Sequence, residues 1–245
     1  MVLKLAYLYP SLLNLYGDQG NILCLKRRAE WRDIELEVHE IELGSRKSFE
    51  NFDLFFIGGG QDAQQELVAD DLMRRKADLI EAVENNAVIL SICGGYQMLG
   101  NYYQTSSNAK VEGLGILDIH TKAPEDASRL IGNVVARSEL KGGMKDKTLV
   151  GFENHSGRTY IKKKSKTKAL AIVEKGYGNN GEDQTEGAVY KNVFGTYLHG
   201  SVLPKNPHFA DELLLRAIKR QDPKAKLKKL KDEMEQQAHK VALSL

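Results

Sequence analysis

Val88-Ile89-Leu90-Ser91-Ile92-Cys93-Gly94-Gly95-Tyr96-Gln97 decides how the chain is read. The residues up to Ile92 read as a short buried strand. The thiol follows, then two glycines, then a helix-compatible run through Gln97, Met98 and Leu99. A nucleophile at a sharp strand-to-helix turn is pushed out of its sheet. The next backbone N–H groups and the helix N-terminus then face it and favour thiolate over thiol. One of those N–H groups can help hold a developing oxyanion. Glycines after the cysteine permit the tight turn and leave room for substrate beside the sulfur. A buried cysteine that merely closes a core strand fits the same residues, because free cysteine is among the most buried residue types. The rest of the chain has to decide.

Working outward, strands and helices alternate on both sides of this turn. Val2–Tyr9, Ile34–Ile41 and Asp53–Ile57 read as strands, and Gly20–Trp31 and Ala63–Asn85 as helices. Strands that are almost wholly apolar, separated by helices, predict a parallel sheet covered on both faces. The second half changes character. Ile116–Thr121, Ile131–Arg137, Leu149–Asn154, Ala169–Glu174, Ala188–Tyr190 and Val193–Tyr197 read as shorter strands between glycine- and lysine-rich turns, an antiparallel continuation of the same sheet. Asn206–Arg220 reads as a helix that Pro223 breaks. The expected organisation is one α/β domain over residues 1–222 and an amphipathic helical tail over 223–245. Packing of that tail on its own domain, docking on a partner subunit and lying on an anionic surface are all compatible with its narrow apolar stripe.

Composition bounds the function. With 42% hydrophobic and 28% charged residues the chain is ordinary for a globular protein, and a net charge of +2 gives no global argument for nucleic acid. Two cysteines, Cys24 and Cys93, exclude a disulfide framework and a cysteine metal site. No signal-peptide pattern or spanning apolar run is present, so a cytoplasmic setting with reduced thiols is expected.

A thiol nucleophile needs a base, and neutral imidazole suits that task. Of six histidines, His199 closes Gly195-Thr196-Tyr197-Leu198-His199-Gly200, a strand end that gives it the same address as Cys93. His155, at the end of Gly151-Phe152-Glu153-Asn154-His155, is the second candidate. Gly58-Gly59-Gly60 ends another buried strand, at the edge where open α/β sheets bind ligands. Its N–H groups could supply the second oxyanion donor, or the loop could be a plain turn; neither a phosphate-loop nor a dinucleotide-binding spacing is present. Arg129 could pair its guanidinium with the α-carboxylate of an amino acid, or be a solvated loop arginine. Asp18 and Asn21 read as caps of the first helix, and Cys24 as a packing residue.

Together these blocks resemble the class I, triad-type glutamine amidotransferases, and within them the cobyric-acid-synthase-like branch. The similarity extends from Leu15-Tyr16-Gly17-Asp18-Gln19-Gly20-Asn21 through Phe56–Asp62 and the Cys93 turn. It continues through Gly113–Asp118, Gly151–Arg158 and Gly176–Asn180 to Gly195–Gly200. The resemblance implies a class I amidotransferase sheet, with parallel core strands flanked by helices and an antiparallel extension. It implies that Cys93 attacks the side-chain amide of L-glutamine, with His199 as base and acid and Gly59, Gly60 and Gly94 as the oxyanion hole. Arg129, Gln97, Asn154 and His155 would hold the substrate. No metal or cofactor is implied for this chain; ATP and magnesium belong on a separate MurT-like ligase, which works near the membrane surface on the peptidoglycan stem peptide. Other acceptors, such as cobyrinate carboxylates, fit the same branch. A non-amidotransferase cysteine hydrolase and a regulatory scaffold fit the same fold.

One position departs from the pattern. Many class I enzymes carry a glutamate two residues after the histidine, and here that residue is Ser201. Either a Cys/His dyad suffices, or a carboxylate comes from elsewhere, the partner chain included.

Overall fold

The computed structural model describes residues 1–105, 109–140, 142–144 and 147–245. In the first half, β1 (Val2–Leu8), α1 (Gln19–Glu30), β2 (Glu35–Ile41), β3 (Leu54–Ile57), α2 (Asp62–Arg74), α3 (Lys76–Glu84), β4 (Val88–Ile92) and α4 (Gly94–Met98) follow one another. The second half begins with β5 (Tyr102–Gln104), β6 (Lys110–Glu112), β7 (Ile119–Lys122), β8 (Leu130–Ser138) and β9 (Thr148–His155). It continues with β10 (Arg158–Ile161), β11 (Ala171–Lys175), β12 (Thr185–Glu186), β13 (Ala188–Tyr190) and β14 (Val193–Thr196). Three helices close the chain: α5 (Val202–Lys205), α6 (Pro207–Gln221) and α7 (Glu233–Ser244).

The main sheet has the order β13-β14-β4-β3-β1-β2 and is parallel except for the antiparallel edge strand β13. Every residue of β3, β4 and β14 is buried, as a sheet covered on both faces requires. Register decides where the chemistry sits. Ile57 pairs with Ser91, and Ile92 with Thr196, so β3, β4 and β14 end side by side. The segments leaving them carry Gly58–Gly60, Cys93 and His199 to one edge of the sheet.

The other second-half strands do not continue this sheet. They form two further four-stranded sheets, β10-β7-β5-β6 and β12-β11-β8-β9, and only β13 extends the parallel core. The reason lies in β8 and β9, which pair over eight positions from Leu130↔His155 to Arg137↔Thr148 and mix buried residues with partly or fully exposed ones. Such strands bury one face and cannot sit in a sheet covered on both. The helix expected over 63–85 is two helices that meet at Arg75 (φ −93°, ψ 5°), whose guanidinium bends back to Asp71 Oδ2 and the carbonyl of Lys47.

The tail packs on its own domain. Arg28, almost wholly buried, donates to Asp211 at 2.7 Å and to Asp232 at 2.8 Å, and Arg32 donates to the carbonyl of Lys228 at 2.7 Å. His239 on α7 donates Nδ1–H to the carbonyl of Lys205 and accepts from the Thr148 hydroxyl. Among the described residues no helix is long and apolar enough to cross a membrane.

Candidate functional site

Cys93 sits at the turn from β4 into α4 with φ 49° and ψ −106°, a backbone conformation that L residues avoid. Contacts beneath it hold the turn in place. Cys93 N–H donates to the carbonyl of Thr196 at 2.9 Å, and Gly95 N–H to that of Gly58 at 3.2 Å. A Cβ at Gly95 would stand 2.6 Å from the carbonyl oxygen of Ile57, so glycine is required there for the turn to lie against β3.

His199 is completely buried, and its backbone exchanges hydrogen bonds with Phe152 on β9. Tyr16, itself at φ 55°, lays its ring edge-on against the imidazole with 4.8 Å between centroids. Burial, with the nearby charges of His155 and Arg129, pushes the imidazole down to about 3, so at neutral pH it is an unprotonated base. Neither ring nitrogen has a hydrogen-bond partner among the described residues. Ser201, which stands where many class I enzymes have glutamate, does not orient the ring. Its hydroxyl donates to the carbonyl of Gly17 at 2.6 Å.

The three segments converge tightly at Gly59. A Cβ added there would stand 3.2 Å from His199 Cε1, 3.4 Å from Cys93 Cβ and 3.4 Å from Asp18 Oδ2. The expected role of Gly59 as an oxyanion donor needs correction, because its N–H donates to Asp18 Oδ2 at 2.6 Å. For the other two expected donors, Gly60 and Gly94, no backbone acceptor among the described residues takes the N–H. Gln65 braces both positions. Its Nε2 donates to the carbonyl of Gly60 at 3.1 Å and would lie 2.7 Å from a Cβ on Gly94.

Cys93 opens onto a cavity of about 510 Å³ whose walls include Gly60, Gln97, Arg129, Asn154 and His155. The four residues expected to hold substrate are therefore gathered round Cys93. Gln97 donates to the Tyr197 hydroxyl at 3.0 Å. Arg129 donates Nε–H to Asn154 Oδ1 at 2.6 Å and Nη2–H to the Asn154 carbonyl at 2.7 Å, and Asn154 Nδ2 donates to the Tyr16 hydroxyl. His155 is buried, donates Nδ1–H to the carbonyl of Gly157 and stacks on Tyr197 at 3.6 Å.

Sequence reading missed three contributors: Tyr16, Gln65 and Asp18. Asp18 and Asn21 are not side-chain caps of α1, which has no side-chain cap hydrogen bond. Asn21 Oδ1 instead accepts from Leu203 N–H at 2.9 Å, and Asp18 turns to Gly59. The Leu15–Asn21 block did point to this region, though not to the contact across 41 residues. Cys24 packs against the core as expected, and burial pushes its thiol up to about 12.

Residues 4–207 match the CobB/CobQ-like glutamine amidotransferase domain. The chain is 45% identical over 231 residues to the lipid II isoglutaminyl synthase (glutamine-hydrolyzing) subunit GatD of Staphylococcus aureus, covering 94% of this chain and 90% of that protein. It is 41% identical over 218 residues to the GatD of Streptococcus pneumoniae, covering 89% and 81% respectively. Among solved structures, PurLQS from Thermotoga maritima superposes with a TM-score of 0.62 at 15% identity over 91% of this chain and 100% of that one, a likeness of fold. A thiol at the β4 turn, a buried imidazole at the end of β14 and a family match spanning both lead to one conclusion: this chain belongs to the CobB/CobQ-like glutamine amidotransferases.

Proposed function

We propose that this chain is the glutamine-hydrolysing subunit of a lipid II isoglutaminyl synthase. In this reading it supplies ammonia to a MurT-like ATP-dependent ligase, which amidates the α-carboxyl of D-glutamate in the peptidoglycan stem. The observation that carries the chemistry is the approach of Cys93, His199 and the glycine loop to one point beside the 510 Å³ cavity. The choice of acceptor is supported by the two GatD relatives, which align with nearly the whole chain.

His199 takes the thiol proton, and Cys93 Sγ bonds to Cδ of the glutamine side-chain amide. The amide oxygen becomes an oxyanion held by the N–H groups of Gly60 and Gly94. His199 returns the proton to the leaving nitrogen, and ammonia departs from a glutamyl thioester. Water, deprotonated by His199, cleaves the thioester to glutamate and restores the thiol. Arg129 recognises the α-carboxylate with Asn154 at its side, while Gln97 and His155 line the remaining walls. Among the described residues no carboxylate partners the imidazole, and a carboxylate from the ligase subunit would complete the site. ATP and magnesium act on that ligase, and the complex works on the cytoplasmic side of the membrane.

The test is glutamate release from glutamine by the chain and its Cys93→Ala variant, each with and without the ligase. Release abolished in the variant is expected, with a rise when the ligase is added. A folded chain that releases no glutamate in either condition would refute the reading.

A further inference from the structure

The carboxyl of Asp18 has no role in the chemistry just described, yet it lies against the glycine loop that the reaction depends on. It is completely buried. Oδ2 accepts the Gly59 N–H at 2.6 Å, and Oδ1 has no hydrogen-bond partner among the described residues. Oδ2 would also lie 3.0 Å from a Cβ on Gly58, so the carboxyl flanks two successive loop residues. No cation pairs with it: salt bridges to Asp18 are absent among the described residues. Its charge is felt by Tyr7 on β1, whose buried hydroxyl also lacks a partner among the described residues. A buried carboxyl that spends one oxygen on a backbone N–H and leaves the other unsatisfied is costly to keep. Its position explains what it does.

We propose that Asp18 is a positioning residue for the oxyanion loop: by holding the Gly59 N–H it fixes the Gly58–Gly59 peptide, the unit from which the Gly60 N–H is aimed at the carbon that Cys93 attacks. A peptide is planar, so anchoring the Gly59 N–H orients the whole Gly58–Gly59 unit, and only φ and ψ of Gly59 separate it from the unit that carries the Gly60 N–H, whose carbonyl accepts from Leu15 N–H at 3.1 Å. Without the anchor the three glycines are held only through their carbonyls, by Gly95 N–H, Leu15 N–H and Gln65 Nε2, and their N–H groups gain freedom. Burial pushes the Asp18 carboxyl up to about 7, against the opposing pull of the Gly59 N–H. In either protonation state one oxygen remains an acceptor, so the contact itself does not require the charge. An amide of the same shape can therefore replace it.

This inference rests on the amidotransferase reading of Cys93, and the experiment separates the two. The full chain is assayed with its ATP-dependent ligase as wild type, D18A, D18N and C93A. Two readouts are taken: kcat and KM for glutamine, and the rate at which iodoacetamide alkylates Cys93, scored by mass spectrometry. Alkylation needs the thiolate but no oxyanion hole. For D18A, kcat should fall about a hundredfold, the scale of losing one oxyanion donor. KM and the alkylation rate should stay within about threefold of wild type. For D18N, kcat should recover to within about fivefold of wild type, because the amide oxygen still accepts the Gly59 N–H. If D18A does not fold, D18S takes its place, since a serine hydroxyl is too short to reach Gly59.

Three results would overturn the proposal. D18N could be as impaired as D18A, which would make the charge the active feature. Alkylation could fall in step with kcat, which would place the effect on the thiolate or the fold. D18A could match or exceed wild type, which would mean the contact holds the loop back. Glutaminase activity surviving in C93A would instead refute the nucleophile assignment.

Discussion

Glu186 should set much of the pH dependence of stability, and Glu186→Gln is the perturbation that exposes it. The side chain is fully buried on β12, where one oxygen accepts the Thr196 hydroxyl and, at 3.0 Å, the N–H of Tyr197. The other oxygen has no partner among the described residues. Burial raises the carboxyl from 4.5 to about 7, and the charge of Glu153 adds to the shift. In the unfolded chain Glu186 loses its proton near 4.5, whereas the native protein keeps it until about 7. Within that window the native state binds more protons, so its stability falls as pH rises. The contribution is fully present below the unfolded value and is lost above the folded one. A shift of this size corresponds to about 3 kcal/mol. Glutamine keeps the acceptor for Thr196 and Tyr197 and cannot ionise. Urea unfolding at pH 5 and pH 8 should therefore show Glu186→Gln gaining about 2–3 kcal/mol on wild type at pH 8 and little at pH 5. Asp18, shifted in the same direction, leaves a residual slope in both proteins. A variant less stable than wild type at pH 8, or one with an unchanged pH slope, would refute the reasoning. Because the strand leading to His199 keeps its hydrogen bonds, glutaminase activity should survive the change.

Three other perturbations follow from contacts already described. At Gly195 a Cβ would stand 2.0 Å from the Tyr96 ring, so Gly195→Ala should cost about 1–3 kcal/mol in thermal or urea unfolding and disturb the turn at Cys93. Arg28→Met strips Asp211 and Asp232 of their shared guanidinium; the expected loss lies near the low end of about 3–5 kcal/mol, and limited proteolysis should cut first within 223–232. Arg129→Lys removes the planar fork that grips Asn154, and the KM for glutamine should rise about tenfold with a smaller change in kcat.

The parallel core was legible because its strands are continuous apolar runs, and the Cys93 turn because its chemistry is written in adjacent residues. His199 could be picked from six histidines by its place at a strand end. Of the second-half strands, β13 and β14 join the main sheet as expected, whereas β7, β8, β9 and β11 were located but assigned to it wrongly, since an apolar pattern reveals which residues are buried and not which neighbour pairs. β12 and α5, two and four residues long, are too short to carry a period at all. The Gly59 correction has a different cause. Glycine-rich sequence shows that a loop can approach a ligand, but which N–H is already taken depends on a carboxyl 41 residues earlier. An aspartate just before a helix reads as a cap by local rules. Here a tertiary contact outweighs that preference.

The left-handed backbone at Cys93 has a consequence for proteins of this fold that have given up catalysis. A cysteine held at φ 49°, ψ −106° costs about 1–3 kcal/mol that glycine would not. In a copy released from hydrolysing glutamine, Cys93→Gly would remove both the thiol and the strain, and so would be favoured by stability alone. Loss of function at this position is therefore downhill. A cysteine found in this conformation marks a chain in which the need for the thiol still outweighs the relief that its replacement would bring.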